Sequence, residues 1–419
     1  MLNKIRIKIY QLLRKSEKYT KTDMIYLAKG SFWLTLGQVI SSFSSFLLAI
    51  AFANLLPKET YGTYKYILSL IGILAIPTLG GLNTSLIRSV AKGYEGTLIP
   101  ALKVKIKWGF WGSAGSLILA FYYYLNGNND LIFPFLLIAI FLPFLEAPTL
   151  YTAYLQGKKM FDIYSRYSIL IKISVAIFLT AILFLTNNLI FIIFSYLFSW
   201  TFFRFIIFKK ILIKFPPNKN YDQEAIPYGK KLTLISVIGI ISNNIDKILT
   251  FHFLGPAELA IYAFAIALPE NIKAVLRNIG ALALPKFSEN QNRKTLKKKI
   301  KSYFFKSMIP IGLIIFLYII LAPLFFKIFF PEYPESIKYS QIFSLSLIAF
   351  PTLLFTAFFN SQAKSREIFK IDLVYSAVKI ILLFILLPVW GIYGVISATI
   401  FSRLTNLFYS YLLFKKVKL

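Results

Sequence analysis

The run Ser307-Met-Ile-Pro-Ile-Gly-Leu-Ile-Ile-Phe-Leu-Tyr-Ile-Ile-Leu-Ala-Pro-Leu-Phe-Phe326 carries no charged side chain over twenty residues and is bracketed by Lys306 and Lys327. As a helix it is about 30 Å long, the thickness of a bilayer's hydrocarbon core. Similar runs recur along the chain. Spans are expected at 31–55, 62–86, 107–125, 131–155, 168–186, 188–208, 232–254, 258–284, 303–327, 339–361, 371–387 and 391–414. Merging the spans that meet at Thr186-Asn187-Asn188 or at Pro388-Val389-Trp390-Gly391 makes a segment far too long for one crossing.

Composition agrees with this pattern. The 419 residues are 57% hydrophobic and 15% charged, with 47 Lys+Arg, 17 Asp+Glu and a formal net charge of +30. A soluble domain is about 25% charged. The absence of cysteine excludes a disulfide-framed secreted domain and a thiol metal site, and a single histidine removes most His-based metal centres. No metal site and no cofactor are therefore expected. Nucleic acid is excluded as a partner, because the basic residues are scattered over seven segments rather than gathered on one module.

The basic residues report topology instead. With the N-terminus inside, 38 of the 47 cations fall in inside segments and only Lys58, Lys327 and Lys338 fall outside. Positive charge marks the cytoplasmic face, so both termini are expected in the cytoplasm. Residues 1–30 are not a signal peptide, since Lys4, Arg6, Lys8, Arg14, Lys15, Lys18 and Lys21 interrupt any apolar core. They read as a basic arm at the membrane surface, facing anionic membrane lipids.

Two halves of about 200 residues repeat. Leu56-Pro57-Lys58-Glu59, then Gly62 and Tyr64, answers to Leu254-Gly255-Pro256-Ala257-Glu258, then Tyr262. Pro148-Thr149-Leu150 answers to Pro351-Thr352-Leu353, and Gln156-Gly157-Lys158 to Gln362-Ala363-Lys364. The ends Phe205–Lys210 and Tyr411–Lys416 also match. Each half has six spans and starts inside, so the repeat is parallel. The expected fold is an all-α polytopic membrane protein of twelve transmembrane helices in two six-helix bundles. The expected layout is a basic arm (1–30), an N-terminal bundle (31–208), a linker (209–230) and a C-terminal bundle (231–419), with a substrate site between the bundles.

Several of these motifs occur together: Gly30-Ser31 through Gly37-Gln38 to Ser45, Leu-Pro-x-Glu-x-x-Gly-x-Tyr at 56–64, Leu79-Gly80-Gly81-Leu82 with Arg88, and Asn243-Asn244-Ile245-Asp246-Lys247 before Leu-Gly-Pro-x-Glu. Over essentially its whole length the chain resembles the polysaccharide-exporter, O-antigen-type flippase branch of the multidrug/oligosaccharidyl-lipid/polysaccharide flippase superfamily. The second copy of the outer turn departs from the pattern, with Ala260 where glycine is common. The resemblance implies two bundles around a V-shaped cavity. It also implies a flippase for undecaprenyl-pyrophosphate-linked oligosaccharide repeat units in the bacterial inner membrane, acting in O-antigen or capsule synthesis by alternating access. A monomer is expected, working beside a polysaccharide polymerase and assembly proteins.

A charge at mid-bilayer costs at least about 2.5–3.5 kcal/mol, so it faces water or a partner. Glu270, Lys273 and Arg277 stand at i, i+3 and i+7, on one helical face, next to Pro269, which removes a backbone hydrogen bond and favours a kink. Asp246 and Lys247 are adjacent and point about 100° apart. Lys379 and Arg403 either pair with Glu146 or line the cavity, and Lys65 stands about one turn from the outer end. Lys273, Arg277, Lys247, Arg403, Lys379 and Lys65 are the candidates for binding an anionic head group. Glu270, Asp246 and Glu146 are the candidates for counter-charge or for coupling to a proton or sodium gradient. Six cations against three acids suit an anionic cargo, because Arg binds pyrophosphate bidentately and Lys as a point charge. A cation-coupled multidrug antiporter of the same superfamily is the alternative, and an acidic cavity is expected of it. A membrane enzyme is not expected, since no DxD, HxxE or nucleotide loop is present.

Overall fold

The structure, a computed structural model, describes Arg14 and residues 24–281, 293–362 and 364–416. Most of the basic arm therefore lies outside the described residues. Those described are helical, with no strand among them. The N-terminal half contains α1 (Met24–Leu55), α2 (Lys58–Leu74), α3 (Gly81–Ala91), α4 (Leu98–Leu125), α5 (Asn129–Glu146), α6 (Leu150–Gly157), α7 (Phe161–Leu185) and α8 (Leu189–Lys214). The C-terminal half contains α9 (Ala225–Leu254), α10 (Pro256–Ala281), α11 (Arg293–Phe329), α12 (Ser336–Ser344), α13 (Thr352–Ser361) and α14 (Ser365–Lys416). Residues 215–224 join the halves.

Nine helices among the described residues are long and apolar enough to cross a membrane, or ten if the bent pair α2–α3 counts as one span. That number does not reach the twelve expected. It leaves out Leu98–Leu125 and takes Arg366–Lys416 as a single stretch. The latter stretch is broken at Gly391, whose φ of 54° and ψ of −131° suit only a residue without a side chain. Eight residues along a straight helix rise about 12 Å, yet a Cβ on Gly394 would collide with the carbonyl of Leu386. The chain therefore reverses at Gly391. The start of α4 corrects another boundary. It lies at Leu98 rather than 107, because Lys103, Lys105 and Lys107 are carried on its first turns instead of in a loop.

Proline sets the same break in each half. Pro148 lies in the 3-10 turn Ala147–Thr149 between α5 and α6, and Pro351 precedes α13 after the 3-10 turn Leu345–Ala349. The threonine after each proline closes its turn identically. Thr149 Oγ1 donates to the Glu146 carbonyl at 2.6 Å, and Thr352 Oγ1 to the Ala349 carbonyl at 2.7 Å. The repeat seen in the sequence is thus also a repeat of local hydrogen bonding. Pro269, by contrast, does not break α10, which runs through it as one helix.

The halves meet most tightly at the end where α1 passes into α2. There a single apolar cluster contains Phe52, Tyr61 and Ile67 from one half and Leu259, Phe264 and Phe330 from the other. Tyr61 stacks on Phe264 at 4.5 Å, and Phe46 packs against Phe325 and Phe329. Gly62 is required by this approach, since a Cβ there would run into the Pro256 carbonyl. Lys58 Nζ pairs with Glu335 at 3.2 Å, and Asn54 Nδ2 donates to the Phe329 carbonyl at 3.1 Å. His252 at this end hydrogen bonds Tyr66, which in turn bonds Tyr123. Burial of this much aromatic surface makes the end a seal. Toward the opposite end each half has its own cluster, around Leu86 and Tyr154 in one and around Phe355 and Phe414 in the other.

At that opposite end α3 packs along α9, and polar contacts hold the linker. Gly81 N donates to Thr233 Oγ1 at 3.0 Å, and Ser89 Oγ to Asp222 Oδ2 at 2.6 Å. Nearby, Glu95 accepts from Lys158 Nζ at 2.8 Å and from the Tyr154 hydroxyl at 2.9 Å. Burial alone raises the Glu95 carboxyl, but Lys158 and Tyr154 outweigh it and hold its pKa below the usual value. A depressed carboxyl stabilises the fold above its unfolded pKa, about 4.3, and loses that contribution as pH falls through the folded value. Glu95→Gln is therefore expected to cost about 1 kcal/mol at pH 7, with the difference vanishing once pH has fallen through the folded carboxyl's depressed pKa. Thermal melts of both proteins across this pH range measure it, and a gap that persists at low pH counts against the ion pair as its source.

Candidate functional site

Just below the seal, α2, α9, α10, α12 and α14 surround a cavity of about 390 Å³. An adjoining lobe of about 300 Å³ shares Asn243, Lys273, Tyr375 and Arg403 with it. These side chains converge because the helices around the cavity carry their ionisable residues about two to five turns from the sealed end.

Two carboxylates organise the cations. Asp246 is 3% exposed. Its Oδ1 lies 3.4 Å from Lys379 Nζ and 3.5 Å from Lys247 Nζ, and its Oδ2 accepts from the Tyr262 hydroxyl at 2.7 Å. Lys379, also 3% exposed, donates as well to the Ser242 carbonyl at 2.6 Å. Adjacency alone does not let Lys247 satisfy Asp246. The partners from α10 and α14 complete its shell. Glu270 is bound by Arg403 and lies 3.6 Å from Lys273 Nζ. Arg403 Nη1 donates to Ser346 Oγ at 2.8 Å, and its guanidinium rests 5.1 Å from the Phe343 ring centre. Lys65 reaches the cavity from α2, its ammonium 5.2 Å from the centre of the Tyr61 ring. No carboxylate pairs with Lys65 among the described residues.

Five cations thus face two carboxylates. Asp372, in the adjoining lobe, lowers the formal excess from three to two. A buried charge without a partner is costly, and an arrangement with surplus cations is stabilised by an anion. The Arg403 fork and the ammonium of Lys273, 38% exposed at its side chain, are donors of the kind that bind phosphate oxygens.

Of the residues expected from sequence, Lys65, Asp246, Lys247, Glu270, Lys273, Lys379 and Arg403 come together here. Glu146 does not. It pairs with Arg204 at 3.0 Å inside the N-terminal half, and neither Lys379 nor Arg403 meets it. The Arg277 side chain lies outside the described residues. Sequence reasoning passed over Asp372, because it opens the eleventh span and reads as a boundary residue. It passed over Arg204 for the same reason at the end of the sixth span. Tyr262 was visible only as part of the repeated turn motif, and no sequence signal points to its bond with Asp246.

Comparison with known proteins follows the same lines. The sequence profile of the family described as polysaccharide biosynthesis protein matches residues 27–291. An uncharacterized membrane protein of Methanocaldococcus jannaschii is 24% identical over 402 residues, covering 90% of this chain and 95% of that protein. Among solved structures, MATE in complex with MaD5 superposes with a TM-score of 0.66 at 13% identity, covering 96% of this chain and 97% of that one. The lipid II flippase MurJ in an inward closed conformation gives 0.64 at 14% identity, covering 93% and 88%. The fold is the one shared by MATE and MurJ. The chain belongs to the polysaccharide biosynthesis protein family.

Proposed function

We propose that the protein flips undecaprenyl-pyrophosphate-linked oligosaccharides across the bacterial inner membrane by alternating access, with both termini in the cytoplasm. The observation that carries this reading is the surplus of cations in a cavity bounded by both halves. The pyrophosphate head enters between the halves and displaces Glu270 from Arg403 and Lys273. Its charge is then compensated while it crosses the low-dielectric region, and the polyprenyl tail stays in lipid. The seal around Tyr61, Gly62 and Phe264 opens to release the head on the other face. Family membership and the MurJ-like fold support the same cargo class. Exchange of the anion for Glu270 leaves that carboxylate free to take up a proton or sodium ion, which is the proposed route of gradient coupling.

The test is flipping in reconstituted liposomes of a fluorescent lipid joined to a sugar through pyrophosphate. Transport is expected to exceed protein-free vesicles at least tenfold and to respond to an imposed proton or sodium gradient. The same lipid joined through a neutral linkage is expected to stay near background. Robust ethidium export without lipid flipping favours the multidrug antiporter instead, and an unchanged rate under every gradient removes the coupling step.

A further inference from the structure

The N-terminal half encloses a cavity of its own, of about 360 Å³, lined among others by Gln38, Thr149, Ser165, Lys172, Trp200 and Arg204. It repeats the adjoining lobe of the C-terminal site. In each, the threonine after the proline break forms one wall, the fifth span of the half a second and an arginine of the sixth span a third. Thr149 corresponds to Thr352 in this scheme.

Its electrostatics also lean positive. Glu146 is taken by Arg204, whose guanidinium lies 4.5 Å from the centre of the Trp200 ring. Lys105, 1% exposed, is held behind the wall by two neutral oxygens, Asn83 Oδ1 and Thr149 Oγ1, each at 3.0 Å. Among the described residues no carboxylate pairs with Lys105 or Lys172. Three cations therefore stand against one acid, an imbalance that a bound anion relieves. Ser165 Oγ is buried in the wall, 1% exposed at the residue, and has no hydrogen-bond partner. An unpaired buried hydroxyl costs about 1–3 kcal/mol, which a ligand atom offsets.

The remaining lining sets the body of that ligand. Gln38 and Ser168 add an amide and a hydroxyl to the lining, and Thr152, whose hydroxyl donates to the Thr149 carbonyl, adds an acceptor, which suits a body rich in hydroxyls. Arg204 covers the Trp200 ring, so the ring steadies the guanidinium instead of stacking on the ligand. The volume suits one sugar residue and is too small for a repeat unit. We propose that this cavity is a second binding site, for a monosaccharide unit carrying one acid group, a carboxylate or a phosphate. The flippase reading identifies that unit as an acidic sugar of the cargo, but binding at the site is separable from transport.

The experiment uses the full chain in lipid nanodiscs with Trp33, Trp108, Trp111 and Trp390 changed to Phe, so that Trp200 is the sole indole. Glucuronate and glucose 6-phosphate are expected to change its emission saturably. Glucose is expected to give no change, and inorganic phosphate to bind at least tenfold more weakly. Lys172→Met should weaken the acidic sugars about tenfold or more, and no carboxylate loses a partner in that variant. Arg403→Ala should leave the response intact while it stops lipid flipping, which separates this site from the proposed transport site. Absence of a saturable response from a protein that melts normally overturns the proposal. So does an equal response to glucose, phosphate binding as tight as that of the sugar acids, or loss of the response in Arg403→Ala.

Discussion

Arg403→Ala is expected to lower lipid flipping at least about 30-fold while the protein still inserts and folds. The expectation follows from geometry. Arg403 is the only guanidinium among the described residues lining the C-terminal cavity, and it is steadied by Ser346 and Phe343 as well as by Glu270. Truncating one partner of a hydrogen-bonded charge pair costs about 2–5 kcal/mol of binding, and about 1.4 kcal/mol is tenfold. Arg403→Lys keeps the charge but not the planar fork, so an intermediate rate is expected. Glu270 is 37% exposed at its side chain, so water in the cavity solvates it in the variant and limits the loss of stability. Flipping measured in liposomes at matched protein levels decides the matter. A parental rate from Arg403→Ala would remove it from the anion path.

The second large effect falls on stability. Asp246→Ala is expected to destabilise the protein by about 3–5 kcal/mol, the range found when a buried ion pair loses one partner. Lys379 is left at 3% exposure with only the Ser242 carbonyl, and the Tyr262 hydroxyl loses its acceptor. Asp246→Asn keeps an acceptor for Tyr262 but not the charge, so a smaller loss is expected. Adding Lys379→Met to Asp246→Ala should recover part of the stability, because the uncompensated cation is removed. Thermal or denaturant unfolding in one detergent compares the three. Equal stability of Asp246→Ala and its parent, or no recovery in the double variant, means that the cluster is not what holds α9 against α14.

The ionisable residues of the spans were legible because each interrupts an apolar run, and a membrane helix tolerates such an interruption only for a reason. The shared face of Glu270 and Lys273 was legible too, because three residues along one helix always return to the same side. Their partners were not. Arg403 lies 133 residues from Glu270, and nothing in either helix's own periodicity says which neighbour its face meets. Glu146 shows the limit most plainly. The sequence offered it two cations, Lys379 and Arg403, and it pairs with Arg204 instead, which the end of a span disguised as a loop residue. Lys105 was hidden similarly: alternating cations at 103, 105 and 107 look like a solvated segment, yet α4 has already begun and turns one of them inward.

The apolar runs, the charge bias and the repeated proline turns are properties of the chain read in order. They depend on local helix geometry and on the cost of charge in lipid, so the sequence alone determined an all-α membrane protein built twice over. Which charges meet is a property of helices distant in sequence, and it depends on where the Tyr61–Phe264 seal brings the halves together. Only the tertiary structure decided that five cations share one cavity with Asp246 and Glu270, because packing between helices, not the pattern along any one of them, sets which buried charges are neighbours.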